Sequence, residues 1–186
     1  EDGIRDIGVT GVQTCALPIF GGDRSEVLSS ISKLDLVPAN DNGAGQIVAA
    51  GALDKIEMLI ENPPAGARVR ALAVAGAFHT HYMQNAVSHV SQFVSNIQIN
   101  EPLAQLLSNK DGLTVENGAD AINRIVNQIA NPVRWDLCME SLVKLGVFRL
   151  GHVSAGNDVQ IVRLLGIDTT KVLLLSVTCE LSNGHS

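Results

Sequence analysis

His79 is the residue of this sequence best suited to acid–base chemistry, and it lies in the stretch VAGAFHTHYM at residues 74–83. An imidazole has an ordinary pKa of about 6.5, so it can accept and return a proton at neutral pH, as a general base must. An apolar run ends just before this histidine and a helical pattern begins after it. Enzymes of the α/β class display reactive groups where a buried strand gives way to a loop. The alternative is a histidine that caps or packs at the start of the helix, and residue type alone favours that structural role.

A metal site is a second interpretation of the same stretch, because His79 and His81 form an H-x-H pair and His89 follows. Zinc needs three or four ligands. In a helix His79 and His81 would point to different sides, and His89 would lie on the polar side. No aspartate lies close in sequence to complete the set. We therefore predict no metal site here, and we disfavour a metal hydrolase.

Carboxamide side chains form the other candidate group. Asn40 and Asn42, in NDNGAGQ, could hold a histidine in one tautomer or bond a substrate carbonyl, although ordinary turn chemistry explains asparagine and glycine here equally well. Gln128, in NQIANPVRW, precedes a proline that can begin the next helix. Arg134 and Trp135 follow that proline, and we interpret both as packing residues at a helix start.

The sequence totals exclude several classes of function. The formal net charge of −6 argues against a nucleic-acid partner, because binding a phosphate backbone normally needs a basic face. No apolar run approaches the about 20 residues of a membrane span, and the acidic opening EDGIRDIGVTG is unlike a secretory signal. The 3 cysteines form no C-x-x-C pair and no disulfide framework, which predicts a location in the reducing cytoplasm.

The motifs of common nucleophiles and cofactor loops are absent from the sequence. It contains no G-x-S-x-G elbow, no G-x-x-x-x-G-K-[ST] loop and no G-x-G-x-x-G loop. If His79 is a base, its nucleophile is therefore outside these 186 residues.

Alternating helices and apolar strands predict an α/β architecture that positions these residues. The order helix, strand, strand, helix, strand over residues 21–75 is that of a βαββαβ unit without its first strand. Helices are predicted over residues 25–34, 52–61, 83–97, 121–130 and from NPVRW to about residue 145, and strands at LVPAN, QIVAAG, residues 67–75, AQLLSN and GVFRL.

The first 20 residues stand apart from this pattern. They have no clear period and resemble translated sequencing-adapter read-through, so we exclude them from functional reasoning and expect this chain to be a C-terminal fragment of a longer protein. Their segment CALPIF could still be recruited as an apolar strand, because a sheet that lacks a strand would accept one. Residues 148–186 are expected to be a divergent or frameshifted tail.

Four separated stretches resemble the malonyl-CoA:acyl-carrier-protein transacylases of bacterial fatty-acid synthesis, most of all their actinobacterial branch. The resemblance covers residues 21–147. It implies a ferredoxin-like small subdomain at residues 21–75, inserted in an α/β-hydrolase-like large subdomain whose C-terminal part is residues 76–147. The four stretches are LVPANDNGAGQIVAAG, ARVRALAVAGAFHTHYM, LLSNKDG and NQIANPVRWDLCMESL.

The resemblance also implies roles for individual residues. His79 corresponds to the family's catalytic histidine, Asn40 and Asn42 to polar residues beside the active site, and Gln128 to the residue whose main-chain carbonyl orients the histidine. The implied reaction moves a malonyl group from malonyl-CoA to the pantetheine thiol of acyl carrier protein through a malonyl-serine ester, with no cofactor of the enzyme's own. Without the serine, these residues alone are expected to be inactive. The alternative is a ferredoxin-like binding module without chemistry.

Overall fold

Two sheets and five α-helices make up the architecture in a computed structural model, which describes residues 14–70, 76–147, 150–154, 160–164 and 172–176. The first sheet has the strand order β4-β1-β3-β2-β6 and the second β5-β9-β8-β7. The mixed α/β class predicted from the sequence is confirmed. The elements are β1 (Thr14–Gly21), α1 (Arg24–Lys33), β2 (Val37–Gly43), β3 (Gln46–Ala52), α2 (Leu53–Glu61), β4 (Ala67–Val69), α3 (Gln84–Val94), β5 (Gln105–Ser108), α4 (Gly118–Gln128), β6 (Val133–Arg134), α5 (Trp135–Lys144), β7 (Leu150–Ser154), β8 (Gln160–Leu164) and β9 (Val172–Ser176).

The main core lies between one face of the first sheet and the helices α1 and α2. Asp23 begins α1 by accepting hydrogen bonds from the backbone N–H groups of Ser25 and Glu26, as an N-cap residue does. Fully burying an aliphatic side chain contributes about 1.5–3 kcal/mol, so this cluster is a major source of stability. Its buried members are Leu17, Ile19, Val27, Ile31, Leu36, Ile47, Ala49, Ile56 and Leu59.

Strand β1 occupies the position in which the sequence pattern lacks a first strand. It pairs antiparallel with β3 from Thr14 to Phe20, and with β4 from Ile19 to Gly21. The carbonyl of Pro18 points to the β4 side of the strand. It accepts a hydrogen bond there from the N–H of Arg70 at 3.1 Å, just past the end of β4. The missing N–H of Pro18 therefore faces away from the ladder with β3. The segment CALPIF, residues 15–20, thus forms a strand within β1, as the sequence analysis allowed.

Most predicted elements form within a few residues of their expected bounds, with two departures. The strand predicted over residues 67–75 is observed only as β4, and residues 71–75 lie outside the described part. Of the strand predicted at GVFRL, Gly146 and Val147 lie outside any strand, residues 148 and 149 fall outside the described part, and Leu150 begins β7. Among the described residues, no helix combines the length and the apolar character that crossing a membrane requires.

Candidate active site

His79 lies in the short loop before α3 and is held by two main-chain carbonyls from the end of α4. Its backbone N–H donates to the carbonyl of Ile129 at 3.1 Å. Its ring Nδ1 is 2.7 Å from the carbonyl oxygen of Gln128. His79 is only 8% exposed. Backbone and ring are thus fixed together by consecutive residues of one helix end.

The loop around His79 has its own internal support. Thr80 is buried, and its hydroxyl donates to the carbonyl of Ala77 at 2.6 Å and accepts from the N–H of Tyr82 at 3.3 Å. These bonds begin the 3-10 turn His81–Met83 that leads into α3. His79 itself has φ of 60°, a left-handed conformation that costs a non-glycine residue about 1–2 kcal/mol. Strained backbone of this kind clusters at functional sites.

The hydrogen bond to Gln128 fixes the tautomer of the His79 ring. A carbonyl oxygen can only accept, so Nδ1 carries the proton and Nε2 of the neutral ring holds a lone pair. Burial lowers the pKa of His79 below its ordinary value, and the hydrogen bond to the Gln128 carbonyl partly opposes that effect. The ring is therefore neutral at pH 7 with Nε2 ready to accept a proton.

The end of α4 suits this role because the last carbonyls of a helix have no partner within it. The apolar side of α4 packs against α3, with Val87, Val126 and Ala130 buried between them. The Gln128 side chain donates to the carbonyl of Pro132 at 3.4 Å. A helix C-terminus also stabilises a cation, so it favours the imidazolium that forms once the ring takes a proton.

Asn40 and Asn42 lie on β2, which runs parallel to β6 with Asn40 opposite Val133. Both asparagines are half-buried. Their strand is brought near the His79 loop through Ala39 and Ala77, which pack in one buried cluster. Within the described ranges, no hydrogen bond joins either asparagine side chain to His79. The structure therefore brings together Gln128 and His79 directly, and the asparagines only through their strand.

Asp41, between the two asparagines, was missed by the sequence reasoning. Its side chain is 6% exposed and its Oδ2 accepts from Nε and Nη2 of Arg24 at 3.2 and 2.6 Å. Its Oδ1 accepts from the N–H of Gly43 at 3.2 Å. The available signal was a carboxylate between the two candidate asparagines, directly after the predicted strand LVPAN. This ion pair ties the end of β2 to the start of α1.

A cavity of about 600 Å³ lies beside Asp41, behind the Gln128 side chain. Its cationic groups are largely balanced by carboxylates, since Arg24 pairs with Asp41, Arg124 with Asp111 and Asp120, and Arg134 with Asp136. The lining residues are Arg24, Leu28, Pro38, Asp41, Lys110, Arg124, Asn127, Gln128, Asn131, Pro132 and Arg134.

His81 and His89, the other two histidines whose side chains the structure describes, do not converge with His79. Nδ1 of His89 is 2.9 Å from the carbonyl of Asn85 on its own helix, and His81 stacks on Tyr82 with ring centroids 4.3 Å apart. Within residues 14–70 and 76–147 and the three later strands, no group of three or more His, Cys, Asp or Glu could hold a metal ion.

Arg134 and Trp135 have structural contacts that agree with the sequence-based interpretation. The Arg134 guanidinium forms a two-pronged pair with Asp136 at 2.9 and 2.8 Å. Trp135 packs against the buried cluster of Leu107, Cys138 and Leu142.

The sequence and the fold of this chain are similar to those of known proteins. The malonyl CoA-acyl carrier protein transacylase of Mycolicibacterium smegmatis is 54% identical over 124 residues, which are 67% of this chain and 43% of that protein. The crystal structure of MCAT from Mycobacterium tuberculosis superposes with a TM-score of 0.71 at 51% identity, covering 73% of this chain and 45% of that chain. The chain belongs to the malonyl CoA-acyl carrier protein transacylase family. No family model matches it.

A transacylase structure with a partner is also similar to this chain. It is a complex of a type II polyketide synthase acyl-carrier protein with its malonyl-transacylase, with a TM-score of 0.66 at 28% identity over 72% of this chain and 45% of that one. The chain spans 43% of the Mycolicibacterium smegmatis transacylase and 41% of that of Mycobacterium bovis, less than half the length of either.

Proposed function

We propose that this chain supplies the general base of a malonyl-CoA:acyl-carrier-protein S-malonyltransferase, and that His79 is that base. The observation that carries the proposal is the 2.7 Å contact between His79 Nδ1 and the Gln128 carbonyl, which leaves Nε2 as a proton acceptor. The names of its relatives supply the reaction class. A non-catalytic binding module, the alternative drawn from the sequence, is not favoured, because these relatives are named as transacylases.

The proposed reaction has two half-reactions that both use Nε2 of His79. In the first, Nε2 takes the proton of a serine hydroxyl while the serine oxygen bonds to the malonyl carbonyl carbon. The carbon–sulfur bond of the thioester then breaks, and coenzyme A leaves as a thiol with the proton from the imidazolium. In the second, Nε2 takes the proton of the pantetheine thiol, whose sulfur attacks the malonyl-serine ester, and the serine oxygen leaves with that proton.

The nucleophile of this reaction is proposed to come from outside these 186 residues, since the sequence contains no G-x-S-x-G elbow. The family resemblance further implies an arginine that binds the malonyl carboxylate through a two-pronged ion pair, and we assign it to the same outside part. Serine and histidine act as a unit in such sites, so these residues alone are expected to be inactive. Malonyl-CoA and acyl carrier protein are the proposed substrates, and the reducing cytoplasm is the proposed location.

We also propose that the first sheet without β6 is a ferredoxin-like subdomain. Its element order βαββαβ and its strand order β4-β1-β3-β2 support this. Residues 76–147 are proposed to be the C-terminal part of a large α/β subdomain. The proposal that residues 1–20 are foreign and that residues 148–186 are a divergent tail rests on the sequence.

The test uses a full-length protein that contains these residues with the upstream reading frame restored. Transfer of radiolabelled malonyl groups to the protein, and then to acyl carrier protein, is measured for wild type, His79→Ala and Gln128→Ala. Replacing His79 is expected to slow acylation at least 100-fold, the usual contribution of a general base. Gln128→Ala is the matched control, because it keeps the main-chain carbonyl. Equal losses in the two variants, or no loss in His79→Ala, would refute the role.

A further inference from the structure

The two carbonyls that hold His79 belong to a turn anchored at both ends by a single loop. The turn runs from Gln128 to Arg134, and the loop is residues 109–113, directly after β5. At the far end of the turn, the N–H of Arg134 donates to the carbonyl of Asn109 at 2.7 Å. Gly112 closes the loop by donating its N–H to the carbonyl of Ser108 at 2.8 Å.

The near end of the turn is anchored through Arg124, one helical turn before Gln128. Nη1 of Arg124 donates to both carboxylate oxygens of Asp111 at 2.9 Å, so this contact crosses from α4 to the loop. Nε donates to both oxygens of Asp120 at 2.9 and 2.8 Å, a contact that stays within α4. The Arg124 side chain is only 18% exposed. Charge-assisted bonds with both oxygens fix orientation as well as distance.

Sequence neighbours of Gln128 restrain its carbonyl only through a long bond, the one that the N–H of Asn131 donates at 3.3 Å. The C-terminal turn of a helix frays easily, because its last carbonyls lack partners and its hydrogen bonds are few. An anchor one turn back, to a loop outside the helix, therefore sets where the Gln128 and Ile129 carbonyls lie relative to His79.

We propose that Arg124 and Asp111 are positioning residues for His79, because their ion pair locks the end of α4 to the loop of residues 109–113. The functional meaning of this proposal rests on the proposed role of His79 as a base. The structural part, in which the ion pair controls the environment of the His79 ring, stands apart from that role and can be tested on this chain itself.

Two carboxylates on the same arginine allow a matched test. Asp111→Asn removes the charge pair to the loop, whereas Asp120→Asn removes a charge pair of the same chemistry inside the helix. The amide oxygen of asparagine can still accept from the N–H of Leu113, which Asp111 Oδ1 does at 3.0 Å, so the turn of the loop persists. The measurement is a nitrogen-15 NMR titration of His79, which reports both its pKa and its tautomer.

In Asp111→Asn the pKa of His79 is expected to rise toward about 6.5, the value of a solvated ring, because burial is the larger influence that loosening would relieve. A second tautomer, with the proton on Nε2, is expected to appear. Asp120→Asn should titrate like wild type. Arg124→Lys keeps the charge but not the fork-shaped pairing, so it should shift the His79 pKa in the same direction by less.

Equal His79 titrations in Asp111→Asn and Asp120→Asn would overturn the proposal, whether both shift or neither does. A lower melting temperature of Asp111→Asn with unchanged His79 tautomer would overturn it too, as would an unchanged Arg124→Lys. If the proposed role of His79 as a base is wrong, the experiments give a different result. In that case His79→Ala in the restored enzyme keeps its transfer rate, while the effect of Asp111→Asn on the ring remains.

Discussion

Gly112 gives the sharpest test of how the loop of residues 109–113 is held, because its replacement by alanine meets main-chain atoms. A Cβ at this position would lie 2.5 Å from both the carbonyl carbon and oxygen of Leu137 and 2.8 Å from its Cβ. Leu137 belongs to α5, so relief requires movement of a helix or of the loop. Gly112 also has φ of +70°, where alanine is strained.

The expected loss of stability follows from these two effects. The left-handed backbone costs alanine about 1–2 kcal/mol, and overpacking costs about 1–3 kcal/mol more. Gly112→Ala should therefore lower the free energy of unfolding by about 2–5 kcal/mol. Gly146→Ala is the control, because Gly146 has φ of +73° but a Cβ there would meet nothing within 4 Å. It should lose only the strain, about 1–2 kcal/mol.

Urea unfolding at 25 °C, followed by circular dichroism, measures both losses in the same chain. The difference between the two variants isolates the contact between the loop and α5. If Gly112→Ala is no more destabilising than Gly146→Ala, the loop does not pack on Leu137 as described. The proposed anchoring of the Gln128–Arg134 turn by this loop would then be unsupported.

Three further outcomes are expected. Leu17→Ala should lower the free energy of unfolding by about 2–5 kcal/mol in the same assay, since Leu17 is fully buried; a loss below 1 kcal/mol would place β1 outside the core. Because the pKa of His79 is lowered on folding, stability should fall as the pH drops from about 6.5 toward that lower pKa, and this component should vanish in His79→Gln; an unchanged pH dependence would contradict the burial of the ring. Burial raises the pKa of Cys138 to about 12, so mass spectrometry should find Cys138 unalkylated by iodoacetamide at pH 8 until urea is added, and rapid native labelling would disprove its burial.

Helix positions could be predicted from the sequence because apolar periodicity and burial coincide, but their ends depend on caps. Helix α4 begins at Gly118, three residues before its predicted start, because the Asn117 side chain accepts from the N–H of Asp120. That signal is polar and lies outside the apolar pattern. Helix α3 ends at Val94, although apolar residues continue at helical spacing to Ile97. An apolar residue beyond a helix end can be left exposed, as Ile97 is.

The site was less accessible to sequence reasoning than the fold. His79 and Gln128 are 49 residues apart, and the contact uses a main-chain oxygen that every residue type possesses. Residue chemistry alone therefore favoured a structural histidine, and only the four-stretch resemblance pointed to Gln128. Arg124 and Asp111 gave no local signal either, since an ion pair between a helix and a separate loop leaves no periodic trace. The catalytic roles of His79, Gln128, Asn40 and Asn42 stay predictions.

Strand β1 joins its neighbours through peptide groups, which are the same in any sequence. Of its side chains, Leu17 and Ile19 fill the main core, Ala16 packs with Ala77 in a second buried cluster, and the Thr14 hydroxyl accepts from the N–H of Ala77 at 3.1 Å. Four consecutive residues, from Ala16 to Ile19, are buried, so this position takes an apolar run and not an alternating pattern. The position of His79 depends in turn on the main-chain carbonyls of Gln128 and Ile129 at the end of α4. Strand β1 therefore supports the loop of His79 as well as the main core, and a different strand in its place would have to reproduce both sets of contacts.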